Sequence, residues 1–175
     1  PPEQITPAQR FVGHVAVLGL GYGMGWKRFM LTLALGLMGP KTIISEKEAI
    51  NAVNTYRMER SVVVDFWDKC TEMLTHMMND MDMEYKCLRV DGKNNRIYLP
   101  NGMYLEYPGL CYDNDGFRYF TYAEEDAMQY GRMPTTRGKK MYGGILAENI
   151  NQALARIPIS DQLLMTTKRY PVLTT

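Results

Sequence analysis

Residues 10–25, RFVGHVAVLGLGYGMG, constrain the fold most, because they are compatible with two structures that exclude each other. In one structure Val15–Leu18 form a strand that runs into a glycine-rich turn. In the other the whole stretch is a helix, and side chains spaced four residues apart lie on one face, because this spacing is close to one helical turn. The side chains on that face are Arg10, His14, Leu18 and Tyr22. We favour the helix.

The strand interpretation corresponds to a dinucleotide-binding fingerprint, G-x-G-x-x-G, with an acidic residue about 20 positions downstream. Gly19 and Gly21 supply the first two glycines, and Glu46 supplies the acid. However, Met24 occupies the third glycine position. Residues 46–82 then continue as one helical pattern, whereas such a domain alternates strands and helices. A NAD-dependent oxidoreductase with a degenerate fingerprint at residues 19–25 is therefore kept only as an alternative.

The composition is typical of a globular protein with one sizeable core, since 46% of the 175 residues are hydrophobic and 22% are charged. A net charge of +1 gives no overall field that would attract nucleic acid, so any basic surface is local. Three cysteines without a CxxC pair fit a reducing compartment. The apolar run 11–38 is interrupted by charged residues, so it predicts a buried helical hairpin and no membrane span.

The order of predicted elements indicates an α+β fold. Helices are predicted at residues 7–23, 26–37, 46–82 and 144–156. Thr6 and Pro7 supply the cap and first-turn proline of the first helix, and Ser45 with Glu48 forms a capping box for the third. Residues 85–122 are rich in aromatic and branched side chains and contain two typical hairpin turns, Asp91-Gly92 and Asn101-Gly102. A short helix from Asp161 and a strand over residues 170–175 follow.

Four segments, in order along the chain, resemble family A DNA polymerases, the bacterial polymerase I group, and most closely its bacteriophage members. Residues 10–23 are similar to the motif B helix, and residues 55–67, TYRMERSVVVDFW, are similar to the helix after the fingers tip. Residues 96–109, RIYLPNGMYLEYPG, resemble the hairpin insertion. Residues 142–156, YGGILAENINQALAR, resemble the helix that grips primer–template DNA.

The resemblance implies a predominantly helical fingers subdomain over residues 1–156, with a β-hairpin insertion at 85–122, and the edge of a palm sheet beginning in residues 157–175. It also implies a DNA-directed DNA polymerase that binds the incoming dNTP. Arg10 would grip the outer phosphates, and Leu18 would pack against the incoming sugar or base. His14 would be the cation at the triphosphate and the catalytic proton donor to pyrophosphate. Tyr22 would stack near the nascent pair.

The resemblance places primer–template contacts at Gly23, which leaves room for the template strand, and on the helix at 144–156. There Glu148, Asn149 and Gln152 would face the minor groove, whose acceptors are nearly independent of sequence. Basic side chains that could meet phosphates are Arg132, Arg137, Lys139 and Lys140.

The chain departs from the family pattern in two respects. His14 stands where the family has lysine, and a histidine is only partly charged at neutral pH. The two carboxylates that hold catalytic Mg²⁺ in the family belong to motifs outside this sequence, and no metal site is predicted within it. We therefore expect a fragment that needs the remainder of the polymerase chain, is inactive alone, and resides in the cytoplasm, that of the host if a phage encodes it. A non-catalytic nucleic-acid-binding module is a further alternative.

Overall fold

The computed structural model describes residues 5–120 and 138–168, which form five helices and two antiparallel sheets. The predicted α+β class is confirmed. The helices are α1 (Pro7–Leu20), α2 (Trp26–Leu35), α3 (Glu46–Glu59), α4 (Ser61–Met78) and α5 (Gly143–Thr167). The strands are β1 (Met83–Tyr85), β2 (Leu88–Asp91), β3 (Arg96–Tyr98), β4 (Tyr104–Glu106), β5 (Cys111–Asp113), β6 (Gly116–Tyr119) and β7 (Lys139–Met141).

The contacts divide the chain into two compact units. One unit comprises residues 1–69 with 143–145, and the other comprises residues 70–142 with 146–175. The predicted boundary between fingers and palm, at residue 156, lies within α5.

Local hydrogen bonds explain where α1 and α3 begin. Thr6 accepts from the backbone N–H of Gln9 at 3.2 Å, and the Gln9 side chain accepts from the Thr6 N–H at 3.0 Å. Ser45 and Glu48 form the same reciprocal pair at the start of α3. Both predicted caps are confirmed. The core of this unit is a cluster of buried apolar side chains from α1, α2 and α3: Val15, Leu20, Phe29, Leu33, Ala49 and Val53.

The single helix predicted over residues 46–82 is wrong. The structure has α3 and α4 instead, and they are separated at Arg60, whose φ of −122° and ψ of 44° are not helical. The N–H groups of Val63 and Val64 donate to the Arg60 carbonyl, so a new helix starts there. Periodicity does not detect this break, because Tyr56 and Val63 are seven residues apart, close to two helical turns, and stay in phase across it.

The second unit contains both sheets. The four-stranded sheet has the order β1-β2-β3-β4, and its inner face is apolar, with Leu88, Val90 and Ile97 buried. The two predicted turns lie between β2 and β3 and between β3 and β4. The second sheet has the order β5-β6-β7. β7 was not predicted, and the insertion is thus a sheet of four strands followed by strands of a second sheet rather than a hairpin alone.

The last described helix is longer than expected. α5 has 25 residues and passes through Pro158, whereas the sequence predicted a helix at 144–156 and a separate one from Asp161. Proline removes one N–H from the helical ladder, and Pro158 lies at an exposed position of α5. Residues 170–175, predicted as a strand, lie outside the described residues.

None of the helices in the described ranges combines the length and the apolar character that crossing a bilayer requires. The apolar run 11–38 instead forms α1 and α2, which contribute buried side chains to the core of the first unit.

Candidate functional site

Arg10 and His14 line the same surface groove at the start of α1. The groove has a volume of about 520 Å³ and is lined by Ile5, Pro7, Arg10, Phe11 and His14. Pro7 begins the helix, and Phe11 packs against the buried cluster of the first unit, which leaves the two basic side chains exposed one helical turn apart. Among the residues that the structure describes, the lining contains two basic groups and no acidic group, so its charge suits an anion.

Neither basic side chain in this groove is engaged with another residue that the structure describes. Among residues 5–120 and 138–168, Arg10 and His14 form no side-chain hydrogen bond or ion pair. Leu18 continues the same side of α1 and is 46% exposed, as expected for a residue that is not part of the core. Three of the four predicted residues are therefore presented along one side of α1.

Tyr22 departs from this arrangement. α1 ends at Leu20 rather than at residue 23, and Tyr22 and Gly23 lie in the turn that follows, where Gly23 has a φ of +79°. The Tyr22 N–H donates to the Gly19 carbonyl at 3.5 Å, and the Gly23 N–H donates to Leu20 at 3.1 Å. The spacing of four residues placed Tyr22 on the helical stripe, but the helix is capped before that position, and Tyr22 is half-buried.

Trp67 positions the turn that carries Tyr22 and Gly23. Its indole Nε1–H donates to the Gly21 carbonyl at 3.1 Å, 46 residues away in the chain. A Cβ at Gly21 would lie 3.3 Å from the Tyr56 hydroxyl, so the turn approaches α3 closely as well. Sequence analysis did not assign Trp67 or Tyr56 to the site. The only signal for them is that both lie in the segment 55–67 that resembles the polymerase fingers.

The dinucleotide fingerprint is not formed. Val15–Leu18 belong to α1, whereas the fingerprint needs a strand at that point, and Gly19 is a buried helical residue against which the Met24 side chain packs. Both sheets in the described part of the chain are antiparallel, whereas a dinucleotide-binding domain is mostly parallel. The oxidoreductase alternative is therefore wrong in its structural premise.

Each polar side chain predicted to contact DNA from α5 already takes part in one hydrogen bond within the protein. The Asn149 Nδ2 donates to the Tyr107 hydroxyl at 3.1 Å, and the Gln152 Nε2 donates to Glu148 Oε1 at 3.1 Å. Gln152 is exposed, whereas Glu148 and Asn149 are half-buried. Both amides retain a second N–H and a carbonyl oxygen for a ligand.

The partner of Asn149 is a buried phenol. Tyr107 is 3% exposed, and its ring meets that of Tyr119 edge-on at 5.2 Å. Burial raises the pKa of Tyr107 to about 12, and the hydrogen bond from Asn149 partly opposes this rise. Asn149 therefore has a structural contact, which the sequence pattern did not indicate.

Two of the four predicted phosphate-contacting cations can be located. Lys139 and Lys140 are both exposed on β7, and the Lys139 ammonium lies 6.0 Å from the centre of the Tyr119 ring. Because consecutive residues of a strand point to opposite faces, these two lysines do not form a single patch. Arg132 and Arg137 lie outside the described residues.

The described residues do not fit a catalytic magnesium site. Such a site needs convergent oxygen ligands, and no group of three or more His, Cys, Asp or Glu side chains comes together within residues 5–120 and 138–168.

Comparisons with known proteins give no match: no family model, no curated protein and no solved structure matches the chain. Function is therefore inferred from the α1 groove, the polar face of α5 and the four segments that resemble family A polymerases.

Proposed function

We propose that the chain provides the dNTP-binding and primer–template-binding surfaces of a DNA-directed DNA polymerase of the family A type. The observation that carries this proposal is the α1 groove, where Arg10 and His14 are exposed together and no described residue of the lining is acidic. These are the positions at which the resemblance expects the contacts to the triphosphate.

The groove has the chemistry that a triphosphate requires. Phosphoryl transfer depends mainly on positioning and on neutralising charge, rather than on covalent chemistry by the protein. The planar guanidinium of Arg10 can donate two parallel hydrogen bonds to phosphate oxygens, and His14, one turn along α1, adds a second donor. Leu18 offers an exposed apolar side chain on the same side of the helix for the sugar or base.

The polar face of α5 supports the second half of the proposal. Gln152 is exposed, and Glu148 and Asn149 leave hydrogen-bonding groups available beside it. We assign Gln152 the main contact to primer–template DNA. Asn149 acts chiefly by fixing this part of the helix against Tyr107.

The decisive experiment is calorimetric titration of the 175-residue chain with a dNTP and with the matching nucleoside, which lacks phosphates. We expect dNTP binding, little or no nucleoside binding, and a loss of about tenfold or more in affinity for Arg10→Ala. Arg57→Ala is the matched control, because Arg57 is also an exposed arginine, at the end of α3, and its loss should have no effect. Equal effects of the two substitutions, or the absence of dNTP binding, would overturn the proposal.

A second measurement distinguishes a polymerase fragment from a non-catalytic nucleic-acid-binding module. We expect the chain to bind a primer–template duplex in fluorescence anisotropy but to show no primer extension, because the carboxylates that hold Mg²⁺ would come with the remainder of the polymerase. DNA binding without any dNTP response would favour a non-catalytic nucleic-acid-binding module. The proposal also implies a cytoplasmic protein.

A further inference from the structure

The outer edge of the four-stranded sheet is formed by β4, which pairs with β3 on one side only. The Leu99 N–H donates to the Met103 carbonyl at 2.7 Å, and the Tyr107 N–H donates to Asn95 at 3.0 Å. In an antiparallel pair, residues alternate between those that bond to the neighbouring strand and those that do not. Leu105, midway between Met103 and Tyr107, therefore bonds to Ile97. The backbone N–H and C=O groups of Tyr104 and Glu106 must point away from β3.

These outward groups form an open row of donors and acceptors. Within the part of the chain that the structure describes, the N–H and C=O groups of Tyr104 and Glu106 have no backbone partner. An unpaired edge of this kind is a template for pairing with another extended chain, and proteins generally shorten or cover such edges.

A groove lies beside β4. Its volume is about 460 Å³, and its strand side is lined by Leu99, Asn101, Met103, Tyr104 and Leu105. Two of these residues, Tyr104 and Leu105, belong to the strand that pairs on one side only. The opposite wall belongs to α5 and is lined by Asn149, Gln152, Ala153, Arg156, Ile157, Ser160 and Asp161.

We propose that this groove binds an extended polypeptide segment of a partner protein, which adds to β4 as a fifth strand. In this mode of recognition, main-chain hydrogen bonds supply affinity and pockets for alternate side chains supply specificity. The alternation of donors and acceptors along Tyr104 and Glu106 complements a peptide backbone. A nucleic-acid strand has no corresponding alternation.

The side chains of the groove restrict the partner sequence. Leu99 and Leu105 on the strand side and Ile157 on the α5 side make the groove partly apolar, which suits an aliphatic side chain of the partner. Arg156 is exposed and has no ion pair among the described residues, so it suits an acidic side chain or a terminal carboxylate. Asp161, further along α5, disfavours a second acid beyond that point. We therefore infer a segment with an aliphatic residue and one acidic group. The groove shares no residue with the α1 groove, but Asn149 and Gln152 also belong to the α5 face proposed for primer–template DNA, so peptide and DNA should compete for it.

The test uses a phage-displayed library of random dodecapeptides, selected on the 175-residue chain. Enriched peptides are synthesised with a fluorescent label, and their affinity is measured by anisotropy. Tyr104→Pro removes the outward N–H at an edge position where proline is compatible with a sheet, and Tyr104→Thr keeps that N–H but also lacks the ring. We expect binding about tenfold weaker for Tyr104→Pro than for Tyr104→Thr. Equal affinities for the two variants would overturn strand addition.

Arg156→Glu supplies an independent test that leaves β4 intact. We expect this substitution to lower the affinity for acidic peptides by about tenfold and to leave the affinity for dNTP at the α1 groove unchanged. Amide hydrogen exchange of Tyr104 and Glu106 should slow when peptide is bound. The proposal is overturned if no peptide is enriched, if these amides are not protected, if the chain self-associates through β4 in sedimentation experiments, or if a mononucleotide displaces the peptide.

Discussion

Asn149 on α5 donates a 3.1 Å hydrogen bond to the hydroxyl of Tyr107, a residue 42 positions earlier in the chain. Tyr107 follows β4 directly and is almost fully buried, so its hydroxyl depends on a protein partner rather than on water. This bond ties the helix that resembles the primer–template helix to the segment that resembles the hairpin insertion. The same residue that the resemblance assigns to DNA contact thus holds two elements of its own unit together.

Removal of this bond should destabilise the protein. We expect Asn149→Ala to lower the free energy of unfolding by about 1–3 kcal/mol, because the buried phenol loses its partner. Tyr107→Phe should cost about 0.5–1.5 kcal/mol, and the double variant should cost less than the sum, since both changes remove one interaction. Gln152→Ala, on the same helix but exposed, is the control and should stay within about 0.5 kcal/mol of the native chain in urea unfolding. Strict additivity would contradict a direct bond.

Stability should decline in alkaline solution because of two buried groups. Burial raises the pKa of Cys70 from 9.0 to about 12 and that of Tyr107 from 10.0 to about 12. The unfolded chain therefore releases these protons at lower pH than the folded chain does. The stabilising contribution is complete below pH 9 and is lost as the pH rises toward 12.

Urea unfolding between pH 8 and 11 would measure this decline. Tyr107→Phe removes the contribution of the phenol to this pH dependence. The free energy of unfolding of the variant should therefore fall less steeply above pH 10 than that of the native chain. Tyr112→Phe is the matched control, because Tyr112 is 65% exposed. Identical slopes for the two variants would show that burial of Tyr107 does not shift its titration.

The two turn glycines should respond differently to alanine. At Gly92, a Cβ would overlap the backbone N and O of Met81, and backbone atoms cannot move aside as a flexible side chain can. At Gly102, φ is +80°, but no atom lies within 4 Å of the added carbon. We expect Gly102→Ala to cost about 1–2 kcal/mol through backbone strain alone. Gly92→Ala should cost at least about 2 kcal/mol more, measured by thermal unfolding. The reverse order would contradict the packing at Met81.

The charge at position 14 of the α1 groove should set the strength of triphosphate binding. We expect His14→Lys, which places a permanent cation there, to bind dNTP about tenfold more tightly than His14→Gln, which is neutral. Both variants keep a hydrogen-bond donor, so the comparison isolates the charge. Calorimetry measures the two affinities, and equal values would refute a role for positive charge at this position.

Some elements follow from sequence because their causes lie within a few residues. The caps at Thr6 and Ser45 are hydrogen bonds over three positions, and both were predicted. The turns at Asp91-Gly92 and Asn101-Gly102 were also predicted, because their geometry depends on the turn residues themselves. The groove partners Arg10 and His14 are one helical turn apart, so local helical geometry is sufficient to bring them together.

Other features depend on contacts between distant residues, which no local pattern specifies. The end of α1 before Tyr22 is held by Trp67, and Asn149 turns toward Tyr107 rather than toward a ligand. β7 forms because β6 offers Lys139–Met141 a pairing edge, although these residues have a polar, loop-like sequence.

The amino-acid sequence by itself thus determined the α+β class, the starts of α1 and α3 and the placement of Arg10 and His14 one turn apart on α1. Only the tertiary structure decided where α1 ends, which polar side chains of α5 are already engaged, and that β4 pairs with a single strand among the described residues. The physical reason is the distance along the chain over which each interaction acts. Caps, turns and helical faces are fixed by interactions over three or four residues, whereas the free or occupied state of a donor depends on which distant part of the chain packs against it.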